Sequence, residues 1–262
     1  MCIRDSLLAS RGYSVILPYH PGSDKQQQQA MLSGKAAPPE PEELRKRPLD
    51  ISAVLDAVGA GTLPGLSGVR SDRAVVIGHS WGGTTALQLA GTKPSSVRLR
   101  QRCSNLRDPD RNLSWVLQCS FLDSADRSGL ADPRVSAAVA VSPPMRLLFA
   151  PGAATDMNAK VLLVGGTRDW VVPVGPEAIE PMRNLSRNGQ LGGHRLVLAE
   201  GGDHFNLRGN STNRDVPLRG LILAWFDGNA VLPASGWGNA SIPLRDVTPA
   251  IQPVRFPAGS SR

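Results

Sequence analysis

Aromatic side chains make up only 5% of the chain, so any core must rest on Val, Leu, Ile and Ala. Long apolar runs are missing as well. No stretch of about 18 apolar residues occurs, and with it goes the signature of a membrane-spanning helix. Cysteine is scarce. Of the three, Cys103 and Cys119 flank one irregular segment; they would close a modest loop in an oxidising compartment and stay two free thiols in a reducing one. Concentrated charge of one sign is also lacking. The 29 Lys and Arg against 22 Asp and Glu leave a net charge of +7, yet the densest runs are only Arg45-Lys46-Arg47 and Arg98-Leu99-Arg100-Gln101-Arg102. No aromatic platform accompanies them, so the charge reads as a solvated surface and no nucleic-acid partner is expected.

What is present suffices for an ordinary globular protein. The 262 residues, 41% hydrophobic and 19% charged, allow one sizeable α/β domain. The opening MCIRDS lacks a basic start followed by an apolar run, so it is not an export signal. It reads as an assembly scar, with Arg4 to Arg11 as the last turns of an amphipathic helix ended by Gly12.

Short β-rich runs then alternate with segments of helical spacing. Tyr13 to Pro18, Ala74 to Ile77, Val135 to Val141, Val161 to Val164 and Arg195 to Leu198 read as five strands. Residues 19–43, with a Gln run and a Pro/Glu cluster, read as a surface loop. A helix is expected from Pro48, with Ile51, Val54, Leu55 and Val58 on one face. Further helices are expected at Thr84 to Ala90, Glu177 to Asn188 and Leu218 to Phe226. Residues 92–132 read as an insertion or lid rather than a core element. From residue 230 to 262 the chain reads as a Pro/Gly/Ser-rich tail, leaving 1–229 as the domain. Because the strands are apolar throughout instead of alternating, the expected fold is α/β, a mostly parallel sheet covered by helices on both faces.

Residues 75–90, VVIGHSWGGTTALQLA, carry the chemistry. Gly78-His79-Ser80-Trp81-Gly82 fits G-x-S-x-G between a strand and a helix. Such a turn holds its serine at a strained backbone angle, and side chains at Gly78 and Gly82 would collide with neighbouring elements. Ser80 is therefore the candidate nucleophile, and the backbone N–H of Trp81 the candidate oxyanion donor. A serine hydroxyl needs a base. Of the four histidines, His204 in AEGGDHFNL lies just beyond the last strand and is the choice by elimination. His79 sits inside the turn, His20 precedes the serine, and His194 precedes the last strand. Asp169, in VLLVGGTRDWVVP, is the candidate to hold the imidazole, with Asp126 and Asp203 as rivals. The order Ser80, Asp169, His204 is that of α/β-hydrolases.

On these motifs the chain resembles the α/β-hydrolases, most of all the predicted dienelactone hydrolase-like enzymes allied to platelet-activating factor acetylhydrolases. The likeness runs from about Leu7 to Leu207 through LASRGYSVILPYHPGSD, RPLDISAVLDA, VVIGHSWGGTTALQLAG, DPRVSAAVAVSPP, VLLVGGTRDWVVP and LAEGGDHFNL. It implies ester hydrolysis through an acyl-enzyme, with Ser80, His204 and Asp169 as nucleophile, base and acid, and no metal or organic cofactor. True dienelactone hydrolases use a cysteine where this chain has Ser80. The resemblance also implies first strands and a second oxyanion donor upstream of Arg11; neither is found, so weak activity or poor solubility is expected of the chain as written. Tyr19, His20 and Trp170 are candidate pocket residues. The expected substrate is a small or lipid-like ester, the expected location periplasmic or secreted. A polyester or cutinase-type hydrolase and a non-catalytic binding module are the alternatives.

Overall fold

A computed structural model of the protein describes residues 8–22, 24–37, 40–126, 130–155, 157, 159–205, 207, 225 and 244–251. Its centre is a five-stranded sheet in the order β1 (Ala74–His79), β2 (Val135–Val141), β3 (Lys160–Gly166), β4 (Arg195–Ala199) and β5 (Leu244–Asp246). The first four strands are parallel and β5 runs antiparallel against β4. The protein is therefore α/β with a mostly parallel sheet, as its uninterrupted apolar strands require: each central strand has core on both sides. Leu163, Ala138, Ala140 and Leu196 join one cluster, and their neighbours Leu162, Val139, Val141 and Val197 join another.

The first face carries most of the helices. The helices of the described residues are α1 (Lys25–Leu32), α2 (Glu43–Gly59), α3 (Trp81–Leu89), α4 (Ser96–Cys103), α5 (Leu113–Cys119), α6 (Glu180–Arg187) and α7 (Thr248–Ile251), and all but α1 place residues in or against the first cluster. A single π turn, Gly175–Ile179, leads into α6. Leu44 of α2, Ala86, Leu87 and Leu89 of α3, Leu99 of α4, Trp115 of α5 and Met182 of α6 all enter the first cluster. On the second face, Leu8, Val15, Leu207 and Trp225 pack over the strands. Among the described residues no helix is long and apolar enough to cross a membrane.

Several expectations need correction. Tyr13 to Pro18 forms no strand, although Leu8, Ala9 and Gly12 (φ 85°) end a helical turn before it. A strand needs a ladder partner, and among the described residues β1 pairs only with β2; Ile16, Leu17 and Tyr19 are exposed while Val15 alone packs inward. The fifth strand comes from the tail instead, where β5 joins the sheet and Val247 enters the core. The Gln run folds as α1, because Asp24 Oδ1 accepts the N–H groups of Gln26 and Gln27 at its start. The helix expected from Pro48 begins five residues earlier, at Glu43. Proline at that depth deprives the Leu44 carbonyl of its intrahelical donor, and Gln88 Nε2 of α3 donates to that carbonyl at 3.1 Å.

Residues 92–132, read as an insertion or lid, hold two helices and contribute buried residues to the core. Ser95 caps α4 by accepting from Val97 N, and Asn112 caps α5 by accepting from Trp115 N. Leu99, Trp115 and Phe121 are buried there, and the Cys103–Cys119 disulfide joins the two helices. The helical spacing over Leu218 to Phe226 lies almost wholly outside the described residues, only residue 225 of it being described.

Candidate active site

The carboxyl ends of β1, β3 and β4 bring three side chains together. Ser80 stands between β1 and α3 with φ 55° and ψ −123°, a conformation a serine adopts only when its surroundings impose it. Its N–H donates to Val141 O at 2.8 Å and its carbonyl accepts from Thr84 N at 3.1 Å, so both the neighbouring strand and the helix hold it. Gly78 is indispensable to that turn, because a Cβ there would lie 1.9 Å from Gly82 O. Gly82 is a correction. A Cβ at Gly82 would meet nothing closer than Arg47 Nη2 at 3.9 Å, whereas one at Gly83 would stand 3.1 Å from Pro143 Cβ and 3.3 Å from Val141 O. The close packing falls on Gly78 and Gly83.

His204 Nε2 lies 3.1 Å from Ser80 Oγ, and His204 Nδ1 lies 2.9 Å from Asp169 Oδ2. His204 and Asp169 are both buried. A carboxylate can only accept, so Nδ1 carries the proton, and Nε2 is left to accept from the Ser80 hydroxyl. Asp169 Oδ1 accepts from Val171 N at 3.0 Å and Val172 N at 2.8 Å. Burial opposes ionisation of Asp169, but the bond to His204 and the Val172 N–H outweigh it and hold the carboxyl below its ordinary range. The group is a carboxylate at neutral pH.

The loops bearing these residues are tied to one another. Arg168 N donates to Gly202 O at 2.9 Å, Thr167 N to Ala199 O at 3.0 Å, and Gly201 N to Thr167 Oγ1 at 2.8 Å. The chains approach so closely that a Cβ at Gly166 would fall 2.4 Å from Gly202 O.

The rivals have other employment. Asp203 Oδ1 accepts from Phe205 N in its own loop. Asp126 accepts from the Ser96 N–H and hydroxyl at the start of α4 and pairs with Arg100. His194 Nδ1 accepts from Val161 N, and its burial lowers its pKa. Trp81 N opens α3 and has no hydrogen-bond partner among the described residues, as expected of a first-turn amide. The Trp81 ring turns inward against Phe121, with centroids 5.5 Å apart.

Of the pocket candidates, only Trp170 is brought to the site. It is 64% exposed, and its ring lies 6.3 Å from that of Phe205, which meets the His204 ring edge-on at 5.7 Å. His20 is instead buried against α2, its Nδ1 2.7 Å from Asp50 Oδ2. Burial and the nearby Arg47 guanidinium lower the His20 pKa despite that carboxylate. Tyr19 projects outward and is 83% exposed. Neither makes a hydrogen bond or ring contact with Ser80, Asp169 or His204.

Two contributors escaped the sequence. His79 Nε2 donates to the His204 carbonyl at 2.8 Å, with the two rings 4.6 Å apart, so the residue before Ser80 pins the backbone of His204. Ser142 follows β2 with φ 46°, buried, its N–H donating to Val164 O at 2.8 Å. Its hydroxyl faces Asp169 closely enough to favour the carboxylate, though outside hydrogen-bonding geometry. The left-handed conformation at a non-glycine residue is a signal that no sequence pattern displays.

Among the described residues no group of three or more His, Cys, Asp or Glu is placed to hold a metal ion. A scan against models of known protein families returned no match, and a search of curated proteins found none.

Proposed function

We propose that the protein is a serine hydrolase of the α/β-hydrolase fold, of the dienelactone hydrolase-like kind, that cleaves carboxylic esters. The observation carrying this reading is the unbroken relay from Ser80 Oγ through His204 to Asp169, set on a strained turn at the amino end of α3. Ser80 Oγ attacks the ester carbonyl carbon while His204 Nε2 takes its proton. The negative charge on the carbonyl oxygen falls to the Trp81 N–H, and Asp169 stabilises the imidazolium. His204 then returns the proton to the departing alkoxide, which leaves as the alcohol. A water attacks the acyl-enzyme by the same relay, releasing the acid and restoring Ser80. Labelling with a fluorophosphonate probe tests the proposal: the wild type should be labelled at Ser80 and Ser80→Ala should not. A folded wild type that resists labelling would favour a non-catalytic binding module.

A second reading within the same chemistry is a polyester or cutinase-type hydrolase. Trp170 and Phe205 form an exposed aromatic pair beside His204, and residues 92–132, packed into the core, leave little reason to treat them as a moving cover. Release of acid from a polycaprolactone film, lowered in Trp170→Ala while turnover of a soluble p-nitrophenyl ester persists, would support it. The Cys103–Cys119 disulfide supports a periplasmic or secreted location over the cytoplasm.

A further inference from the structure

A cavity of about 210 Å³ opens on the first face of the sheet, and none of Ser80, Asp169 and His204 lines it. Its walls come from the end of α3, from α4, from the chain after β2 and from α6. Leu87, Leu163, Met145, Phe149, Met157 and Met182 supply the apolar surface. That volume exceeds the roughly 150 Å³ at which an apolar cavity takes up a benzene ring. Three methionines make its walls adaptable to a flexible occupant.

The polar side is basic. Arg98, Arg102 and Arg146 all line the cavity, but their situations differ. Arg102 pairs with Asp108 at 2.6 Å and Arg146 with Glu180 at 3.3 Å, and both guanidinium groups lie over the Trp115 ring. Arg98 donates one hydrogen bond, to the Arg146 carbonyl at 2.9 Å, and has no carboxylate partner among the described residues. Glu180 offsets its charge in part without reaching ion-pair contact, and a half-buried cation so placed at the edge of an apolar cavity is unfavourable unless something answers it more closely. Burial, and then the neighbouring Arg146, push the Arg98 pKa down. The remaining N–H groups of its planar fork match a carboxylate in shape and charge. Gln101, Asn184 and Asn188 add neutral polar groups, and Thr92, His194 and the Arg146-paired Glu180 complete the polar lining.

We propose that this cavity is a second binding site, separate from Ser80, for a medium-chain carboxylate amphiphile whose carboxylate pairs with Arg98 and whose chain lies among the methionines. The inference stands independently of the hydrolase reading, since no reaction is involved. Calorimetric titration of the full chain carrying Ser80→Ala, with decanoate and with decanol, tests it. Decanoate should bind saturably and decanol at least tenfold more weakly. Arg98→Gln should weaken decanoate at least tenfold and leave decanol unchanged, while Arg98→Lys, keeping the charge without the fork, should fall between. No saturable decanoate binding, equal affinity for acid and alcohol, or an Arg98→Gln variant as tight as its parent would each overturn the proposal. The comparison of acid with alcohol decides the matter even if Arg98→Gln fails to fold.

Discussion

Two glycines flank Ser80 symmetrically in sequence, yet alanine at each should have opposite effects. At Gly78 the added carbon would stand 1.9 Å from Gly82 O, 2.0 Å from Gly82 C and 2.5 Å from Gly83 N. All three are backbone atoms of the first turn of α3, so no rotamer change relieves the clash. The helix start must move away from β1, taking Ser80 with it. Such forced repacking costs about 3 kcal/mol or more, which at about 2–4 °C per kcal/mol for a domain of this size lowers the Tm by at least roughly 6 °C. At Gly82 the added carbon meets only Arg47 Nη2 at 3.9 Å. Inside a helix, replacing glycine by alanine then removes backbone freedom from the unfolded chain and gains about 0.5 kcal/mol. Thermal melts of the two variants, with fluorophosphonate labelling alongside, test the pair. Gly78→Ala should melt early and lose labelling, and Gly82→Ala should melt slightly late and keep it. A Gly82→Ala variant that loses more than about 1 kcal/mol, or a Gly78→Ala variant as stable as wild type, would refute the reasoning.

Three further outcomes are expected. Asp132 accepts from Arg134 and from Ser52 of α2, and its pKa is lowered to about 2. Because the folded value lies below the unfolded one of about 3.9, its contribution of about 2 kcal/mol is present above pH 4–5 and lost as pH falls towards 2. In urea titrations Asp132→Asn should trail wild type by that amount at pH 7 and match it near pH 2; a gap independent of pH would contradict this. The Cys103–Cys119 bond spans 16 residues, so Cys103→Ser with Cys119→Ser should cost about 3 kcal/mol; iodoacetamide reacting with both sulfurs before reduction would show that the bond is absent. His79→Phe removes the hydrogen bond to the His204 carbonyl, worth roughly 1 kcal/mol. It should slow labelling at Ser80 about fivefold if that bond serves the aligned state, and an unchanged rate would show that His204 is held by other means.

Where the sequence and the fold agree, one local rule was enough. Val135 to Val141 is a strand end to end, because its run of small and β-branched apolar residues, broken only by the exposed Ser136 near its start, suits a position with core on both faces. Ser80, Asp169 and His204 were legible because each follows a strand at its carboxyl end. The errors arose where a distant partner decides. Tyr13 to Pro18 has strand composition but pairs with no strand among the described residues, and Leu244–Asp246, polar and proline-flanked, becomes a strand because β4 offers an edge. Pro48 marked a helix start by the usual rule, but Gln88, 40 residues away in sequence (88 minus 48), satisfies the carbonyl that proline abandons. Residues 92–132 read as irregular through their charges, while the signals of their helices lie in the two caps, Ser95 and Asn112. The His79 bond to His204 crosses two loops and has no trace in spacing.

Glu177 and Gln118, from the π turn and from α5, meet the four successive amides of Met145, Arg146, Leu147 and Leu148. Two buried side chains thus fix the course of a main chain that no sheet or helix ladder secures, between Ser142 beside Asp169 and the wall of the cavity. The side chains of the same stretch are engaged elsewhere: Met145, Leu147 and Leu148 fill the core, and Arg146 pairs with Glu180. Losing Glu177 or Gln118 would therefore loosen the cavity wall and the neighbourhood of Asp169 together.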